Sequence, residues 1–352
     1  MLGRGGSYSF MNPKDKKLIE STKHLANDLI QLTESLYHQR KYTEAIEVGR
    51  IALKERPRNV KVRSWLIKAF VQEEQWQEAK NHIESLRSIA PLRDVYYLEG
   101  FYERKHGNFE KAIDAYQSAK SYGWQGVAVS RELAQCYLML NNLEQAEQYI
   151  KEAVNLQRDN RYILDLWVQI ASKKGDEEAA YDALNNLKVI DKPIFYHHRY
   201  SRVLLQFKHT EAALDHARKA VSFEDRPPFE VLAHLIDCEI ENDQLLEAEN
   251  NLIRLNNDYG HRRNDVRIGL RCKLAIAQGN YRDALDESNR IEDKDSYFYK
   301  RIRRDALSGE LQQSALPDNV RTMYEEELSG IENEKSVDIY GGFTLLDIDD
   351  VS

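Results

Sequence analysis

Apolar and small positions recur along this chain at a nearly constant spacing. Eight positions stand 33 to 36 residues apart, and an alanine follows each of them three residues later. The leading positions are Tyr42, Trp76, Phe109, Leu143, Glu177, Thr210, Leu245 and Tyr281. The alanines are Ala45, Ala79, Ala112, Ala146, Ala180, Ala213, Ala248 and Ala284. A period of about 34 residues held over most of a chain is typical of an array of helical repeats.

Each period predicts two helices joined by a tight turn. Gly107, Asn141, Gly175 and Gly279 fall between the two predicted helices. Glycine and asparagine tolerate the left-handed backbone that ends a helix and reverses the chain. Seven residues after each alanine, a second small or apolar residue extends the contact between the helices by two turns. These residues are Ala52, Leu86, Ala119, Ala153, Leu187, Ala220, Leu255 and Ile291.

The residues on either side of the array divide into four further segments. Residues 1–11 predict a disordered start, because their glycines offer nothing to pack. Asn12 and Pro13 then provide a helix start, so 12–25 is predicted as a capping helix or an extension of the first repeat. The array itself spans 26–296. Two capping helices are expected over 297–329, since an array needs a polar end. A flexible acidic tail is expected over 330–352.

The repeat resembles the tetratricopeptide repeat. The match extends over about eight repeats, although Glu177 and Thr210 replace the usual aromatic residue in repeats five and six. Residues 93–126 fit the family pattern best, through Tyr96, Gly100, Gly107, Phe109, Ala112, Tyr116 and Ala119. The resemblance implies an all-α fold, a right-handed superhelical α-solenoid. It also implies a protein that binds other proteins and is not an enzyme.

Composition and charge support this interpretation. The 352 residues include only 7 prolines and 16 glycines, as expected for a helical protein. The formal net charge is −8; residues 324–352 contain nine acids and one base, so residues 1–323 sum to zero. Without a basic surplus, direct nucleic-acid binding is not expected. No apolar run is long enough to span a bilayer and no secretory signal begins the chain, so a cytoplasmic protein is expected.

Candidate chemistry is sparse. The sequence contains no P-loop, GxSxG, HExxH or GxGxxG motif. His197 and His198 are adjacent, so on a helix they point about 100° apart, and no ligand follows at a helical spacing that would complete a metal site. Cys136, Cys238 and Cys272 lie in first-helix segments and are interpreted as buried thiols. The sequence therefore predicts no catalytic residue, no metal and no cofactor.

The resemblance places candidate binding residues on the first helix of each repeat. In this family, positions 2, 5, 9 and 12 of that helix line a concave groove. Repeats three to six carry at those positions Tyr97, Phe101, Arg104, Arg131, Gln135, Tyr162, Asp165, Gln169, Phe195, His198 and Arg202. Aromatic anchors, arginines and amides together suit a partner peptide or helix with acidic and apolar side chains.

Chaperone-binding members of this family grip a C-terminal carboxylate with a lysine at position 5 and an asparagine at position 9. Repeat one has Ile30 and Glu34 at those positions, and repeat two has Ser64 and Lys68. The pattern is not present, which disfavours an adaptor for chaperone tails.

The acidic tail contains a candidate docking motif. Apolar residues alternate with acids or adjoin them in Phe343, Leu345, Leu346, Asp347, Ile348 and Asp349. Such a segment often folds on a partner, so it is predicted to dock on another protein or in this protein's own groove; plain solvation is the alternative. The basic run from Lys300 to Arg304 is a second element that could pair with the tail.

The predicted function is a scaffold or adaptor that binds a protein or peptide in its groove, regulated by its tail. Two alternatives stay open. One is a recognition or sensor subunit of a larger secretion, defence or transport complex. The other is a regulator that senses a peptide. Self-association is left open, and insertion into a membrane is not expected.

Overall fold

The computed structural model describes residues 26–260, 264–313 and 315–333, and these ranges hold eighteen α-helices and no strand. The first eight are α1 (Ala26–His38), α2 (Tyr42–Glu55), α3 (Val60–Gln72), α4 (Trp76–Leu86), α5 (Leu92–Lys105), α6 (Phe109–Ser121), α7 (Val127–Met139) and α8 (Leu143–Leu156). The next five are α9 (Arg161–Lys174), α10 (Glu177–Ile190), α11 (Pro193–Gln206), α12 (Thr210–Val221) and α13 (Phe229–Glu241). The last five are α14 (Leu245–Tyr259), α15 (Asn264–Ala277), α16 (Tyr281–Ser288), α17 (Tyr297–Gln313) and α18 (Asp318–Asn333).

The chain divides into two compact units, with the boundary inside α9 between Leu166 and Trp167. In unit 1, which includes the described residues up to Leu166, consecutive helices pair as antiparallel hairpins and α1 packs on α3, which packs on α5. In unit 2, which includes the described residues from Trp167 onward, the hairpins follow the same pattern, and α13 packs on α15, which packs on α17.

The 34-residue period corresponds to one helical hairpin. Each of the eight leading positions is the first residue of the second helix of its hairpin, from Tyr42 in α2 to Tyr281 in α16. All eight alanines that follow are 0% exposed. A methyl side chain at this point lets the second helix lie against the first, and the apolar residue seven positions later is buried as well. The predicted all-α repeat fold is confirmed.

The turn inside each hairpin contains one residue with a left-handed backbone, two positions before the leading residue. Glycine or asparagine occupies four of these eight positions, and the predicted turns at Gly107, Asn141, Gly175 and Gly279 are confirmed. The other four positions are occupied by Arg40, Glu74, Lys208 and Asp243, with φ between 55° and 63°.

Helices α17 and α18 cover the end of the last hairpin in unit 2. Arg303 is buried and donates to both carboxylate oxygens of Glu327 on α18, at 2.8 Å each, and to the backbone oxygen of Leu285 on α16 at 3.1 Å. This arginine of the basic run therefore pairs with an acid of the second capping helix, and pairing of the run with the tail 330–352 stays a prediction.

Several predictions concern residues outside the described ranges. These are the segments 1–11 and 12–25 and residues 334–352 of the predicted acidic tail, with the six residues of the docking motif between Phe343 and Asp349 (all but Thr344). The first four residues of the predicted tail, 330–333, form the end of α18. Within the described part of the chain, no helix is long and apolar enough to cross a membrane. The three cysteines are free and buried.

Candidate functional site

Five aromatic side chains lie on the first helices of unit 1 and on the loop before α7, in two groups of rings in contact. The row consists of Tyr37, His38, Trp65, Tyr97 and Trp124, and it is called the aromatic row below. The ring of Trp65 lies 5.1 Å from the ring of Tyr37 and 5.0 Å from that of His38. The ring of Tyr97 stacks on Trp124 at 4.5 Å. Each ring is thus held by a neighbouring ring, and the row forms a rigid amphipathic surface.

Lys68 on α3 fills the middle of the aromatic row. Its Nζ lies 4.4 Å from the ring centroid of Trp65 and 5.9 Å from that of Tyr97. Both distances suit attraction between a cation and the negative face of a ring. Burial lowers the pKa of Lys68, while Glu132 and Glu34 act in the opposite direction. The site therefore presents a partly desolvated ammonium between two aromatic rings.

The ring that supports Tyr97 fits into its place because residue 100 is a glycine. Gly100, one turn further along α5, faces the buried ring of Tyr116 on α6, and a Cβ at Gly100 would lie 2.7 Å from ring atoms of Tyr116. The ring of Tyr116 in turn lies 5.9 Å from that of Tyr97. Burial raises the pKa of Tyr97 to about 12, with Glu132 acting in the same direction, so its hydroxyl stays protonated and can donate a hydrogen bond.

A buried carboxylate lies beside the aromatic row and holds two arginines. Glu132 on α7 is 5% exposed, and its oxygens lie 2.7 Å from Nε of Arg104 on α5 and 2.5 Å from Nη2 of Arg131. Burial alone would raise the pKa of Glu132, but the two guanidinium groups outweigh it and hold that pKa below its usual value. The same contacts raise the pKa of both arginines despite their burial. This ion triad fixes α5 against α7.

The sequence-predicted residues of unit 1 fall into three groups. Tyr97, Arg104, Arg131 and Gln135 are half-buried on the first-helix face. Phe101 is 8% exposed and packs into the apolar core around α3, so it supports the face from behind. On the part of α9 that belongs to unit 1, Tyr162 is exposed and Asp165 is half-buried.

The predicted residues of unit 2 are Gln169, Phe195, His198 and Arg202. Gln169 is exposed and Arg202 is half-buried. Phe195 packs against the small core cluster of Ile194, Ala220 and Val231. His198 is 5% exposed and stacks on His234 at 5.2 Å. These contacts are chiefly structural, and a ligand role for the four residues stays a prediction.

His234 belongs to a buried polar network in unit 2. The Ser201 hydroxyl donates to the backbone oxygen of Ala213 at 2.6 Å, so it accepts from Nε2 of His234 at 2.9 Å. Cys238 Sγ lies 3.4 Å from the same nitrogen. Burial lowers the pKa of His234 to about 4; Asp237 acts against this, and Arg202 and Lys273 act with it. Both stacked imidazoles are neutral at pH 7, because burial holds the pKa of His198 well below its usual value too.

A loss of stability in mild acid follows from this network. The folded-state pKa of His234 lies below its unfolded value, so the unfolded state binds more protons between pH 6.5 and about 4. The free energy of unfolding should therefore fall as the pH is lowered through this window, by on the order of 1 kcal/mol or more for this residue. Urea unfolding followed by circular dichroism measures it. His234→Gln should reduce the pH dependence; the same dependence in the variant and the wild type would contradict the assignment.

Sequence reasoning missed five residues of the unit 1 site. Trp65 and Glu132 both stand at position 6 of their repeats, which is not among the family's groove positions, and Trp124 lies between two helices. Tyr37 and His38 stand at the end of α1. Lys68 stands at a groove position of repeat two. The sequence analysis compares it only with the lysine and asparagine by which chaperone-binding members grip a C-terminal carboxylate, and it does not fit that pattern. The density of aromatic residues in the first three repeats is the one feature of the sequence that indicates this site.

Comparison with known proteins agrees with the fold. Residues 103–170 match the family model described as tetratricopeptide repeat. No curated protein sequence matches this chain. The matched residues include Arg104, Arg131 and Glu132, so the ion triad lies inside the part of the chain that matches the family.

Many solved structures are similar to the chain. The apo form of RapI has a TM-score of 0.66 at 12% identity, over 88% of this chain and 97% of that chain. A tetratricopeptide repeat protein from Parabacteroides merdae has a TM-score of 0.51 at 13% identity, over 72% of this chain and 98% of that chain. The APC/C hetero-tetramer Cut9–Hcn1 gives 0.52 at 11% identity, over 92% of this chain and 57% of that chain. At such identities the likeness shows the fold alone.

Proposed function

We propose that this chain, a tetratricopeptide repeat protein, is a non-catalytic scaffold or adaptor whose first-helix face in unit 1 binds a segment of another protein. The observation that carries the proposal is the aromatic row with Lys68 at its centre. The rings supply rigid contact area, and the ammonium supplies one fixed charge within it. The role of scaffold agrees with the family's general use in protein interactions.

The charges on this face favour an acidic partner. Lys68, Arg104 and Arg131 contribute three positive charges near one another, and Glu132 contributes one negative charge, which leaves a surplus of two. Lys61 and Glu34 at the edge form their own pair at 2.7 Å. A bound segment that offers carboxylates beside apolar side chains would complement both the charge and the rings.

The mechanism is capture by a preformed surface. Tilted and edge contacts with Tyr37 and His38 hold the ring of Trp65, stacking holds Tyr97 on Trp124, and the ion triad fixes α5 against α7. Little ordering entropy is then lost from the scaffold when the segment binds, and most of the cost falls on the segment. The acidic tail after α18 has acids beside apolar residues like this partner, and in this proposal it competes with the partner for the face. The cytoplasmic location stays a prediction.

A pair of matched substitutions tests the proposed face. Gln135 on α7 is half-buried on the first-helix face, and Gln148 on α8 is exposed on the second helix of the same repeat. Gln135→Glu adds a negative charge where an acidic segment should lie. Capture of protein partners by the full chain, with cross-linking and mass spectrometry, should fall at least tenfold for this variant and stay unchanged for Gln148→Glu.

Two outcomes would oppose the proposal. Equal losses for both glutamate variants would mean that the first-helix face has no special role. Capture that survives Gln135→Glu and fails with Gln148→Glu would place the interface on the second helices. Circular dichroism of each variant provides the control for folding.

A further inference from the structure

Arg267 on α15 lies at a position that other repeats give to an apolar core residue. It stands seventeen residues before Ala284, the alanine of its hairpin. In five other repeats the equivalent position holds a valine or isoleucine that is at most 2% exposed: Val62, Val95, Val129, Ile163 and Val231. Arg267 is itself only 5% exposed. Repeat eight therefore places a guanidinium where five other hairpins bury a hydrocarbon side chain.

The guanidinium of Arg267 makes two long hydrogen bonds and leaves one donor unused. Nη1 donates to Oδ1 of Asn256 on α14 at 3.5 Å, and Nη2 donates to Oδ1 of Asn264, the first residue of α15, at 3.3 Å. Both distances exceed the usual range of about 2.7–3.2 Å. Nε is buried and has no acceptor among the described residues. The two amide oxygens thus orient the group without satisfying it.

Among the described residues, no acid forms an ion pair with Arg267. Asp265 precedes it by two residues, which places the two side chains on nearly opposite sides of the helix. The Asp265 carboxylate instead accepts from the backbone nitrogen of Glu292 at 3.4 Å. The three residues before α15 are His-Arg-Arg in the sequence and include no acid. A buried charge without a counter-ion is destabilising, so this site lacks a partner that an anion can supply.

The charges close to Arg267 are positive in sum. Arg271, one turn further along α15, contacts Glu287 on α16 at 2.5 Å, and Arg290 contacts the same carboxylate at 2.9 Å. One glutamate thus serves two arginines, and together with Arg267 the four groups have a surplus of two positive charges. Burial lowers the pKa of Arg267, and Arg271 acts in the same direction. A bound anion would offset this surplus.

An oxyanion can use the donors that Arg267 leaves open. Nε and Nη2 of a guanidinium lie side by side and donate in parallel to two oxygens of one carboxylate or phosphate group. The first turn of α15 adds the partial positive charge of a helix N-terminus. Asn264 is exposed, so the Nη2 side of the guanidinium lies next to the surface. The surplus of two charges favours a doubly negative phosphate group over a singly negative carboxylate.

We propose that Arg267, in the first turn of α15, is the binding site for a phosphate group, which accepts from its Nε and Nη2. The phosphate oxygens replace the long contact with Asn264, while Asn256 continues to orient the guanidinium. Bound phosphate stabilises unit 2, because it binds the folded chain and not the unfolded one. The site uses no residue of the aromatic row, so it adds a ligand to the proposed function and does not depend on it.

Isothermal titration calorimetry of the full chain with sodium phosphate, at constant ionic strength, tests the site. One phosphate should bind per chain, and Arg267→Val should weaken the binding at least about tenfold, since it removes both donors. The midpoint of thermal unfolding should rise with phosphate in the wild type and not in this variant. Arg290→Gln, which removes an exposed charge from the same surplus, is the matched control and should weaken the binding less than about threefold.

The valine variant also separates a ligand site from a structural role of the arginine. Valine is the core residue at this position in four other hairpins, so Arg267→Val should be at least as stable as the wild type in phosphate-free urea unfolding. Arg267→Gln, which removes the charge and keeps a polar side chain, provides a second test of the affinity. Phosphate affinity that both folded variants retain, or a large loss of stability in phosphate-free buffer with both, would overturn the proposal.

Other anions test the choice of a dianion. Sodium sulfate should bind within about tenfold of phosphate, and sodium acetate should bind at least about tenfold more weakly than phosphate, because it brings one charge instead of two. Acetate that binds as tightly as phosphate would overturn the assignment of a phosphate group. Glycerol phosphate distinguishes the sources: equal binding of this ester indicates a phosphate group on a larger ligand, whereas binding of the free ion alone indicates inorganic phosphate.

Discussion

Replacing Glu132 with alanine should lower the free energy of unfolding of unit 1 by about 3 kcal/mol. The carboxylate is buried and holds Arg104 and Arg131 from two helices. Removing one member of a buried ion network leaves the other charges desolvated and facing each other, which usually costs about 3–5 kcal/mol. Because Arg131 is 35% exposed, water can relieve part of this cost, and the lower end of the range is expected.

A second glutamate in the same unit provides the control for this prediction. Glu152 contacts Lys120 at 2.6 Å, and both side chains are more than a third exposed. Glu152→Ala should therefore cost less than about 1 kcal/mol. Urea unfolding of both variants measures the difference. Similar losses for Glu132→Ala and Glu152→Ala would mean that the triad does not hold α5 against α7.

Gly269→Ala should destabilise unit 2 by about 2–3 kcal/mol. Gly269 on α15 faces the ring of Phe298 on α17, and a Cβ there would lie 1.7 Å from Cζ of that ring. The ring cannot stay in place, so α17 must shift away from α15 or Phe298 must leave its position. Adding one methyl group to a packed interface typically costs about 1–3 kcal/mol, and such a close approach indicates the upper part of this range.

The control for this prediction is Gly330→Ala on α18, where no atom lies within 4 Å of the added Cβ. Alanine favours the helix there, and the stability should rise by up to about 1 kcal/mol. In a Phe298→Ala background the added methyl group meets no ring, so Gly269→Ala should cost much less there than in the wild type. A Gly269→Ala variant as stable as the wild type in thermal unfolding would be inconsistent with close packing of α15 on α17.

The array could be predicted from the sequence because two positions in each 34-residue period, the leading residue and the alanine after it, mark the second helix of every hairpin. The alanine of each hairpin is the contact where a larger side chain does not fit, and all eight are fully buried. The leading residues mark where each second helix begins even at Glu177 and Thr210, which depart from the usual aromatic residue. Helix packing tolerates variation at that position as long as the alanine is kept.

The left-handed backbone at four of the eight turns could not be predicted from the residue type. Arg40, Glu74, Lys208 and Asp243 have left-handed backbones. Residues with long side chains, such as the first three, rarely adopt this conformation, whereas aspartate adopts it more readily. Their conformation is imposed by the two helices that they join, whose packing offsets the local strain. Residue type at the turn therefore indicates the geometry only where glycine or asparagine occupies it.

The site was predictable in part. The family's groove positions identify Tyr97, Arg104 and Arg131, which the structure brings to one face. The sequence predicts Glu132 only as an acid on the surface of a helix. Its burial depends on two arginines that come from different helices. Trp65 joins the site through ring contacts with α1, which spacing within a single repeat cannot reveal.

The measurement that most directly tests the central claim is site-specific photo-cross-linking in the full chain. A benzophenone amino acid placed at Gln135 lies on the first-helix face, and one placed at Gln148 lies on the second helix of the same repeat. If the face binds a partner, the first position should cross-link to a segment in which acids adjoin apolar residues, and Lys68→Gln should weaken this product. Cross-links from Gln148 alone, or products from Gln135 that Lys68→Gln leaves unchanged, would contradict the claim.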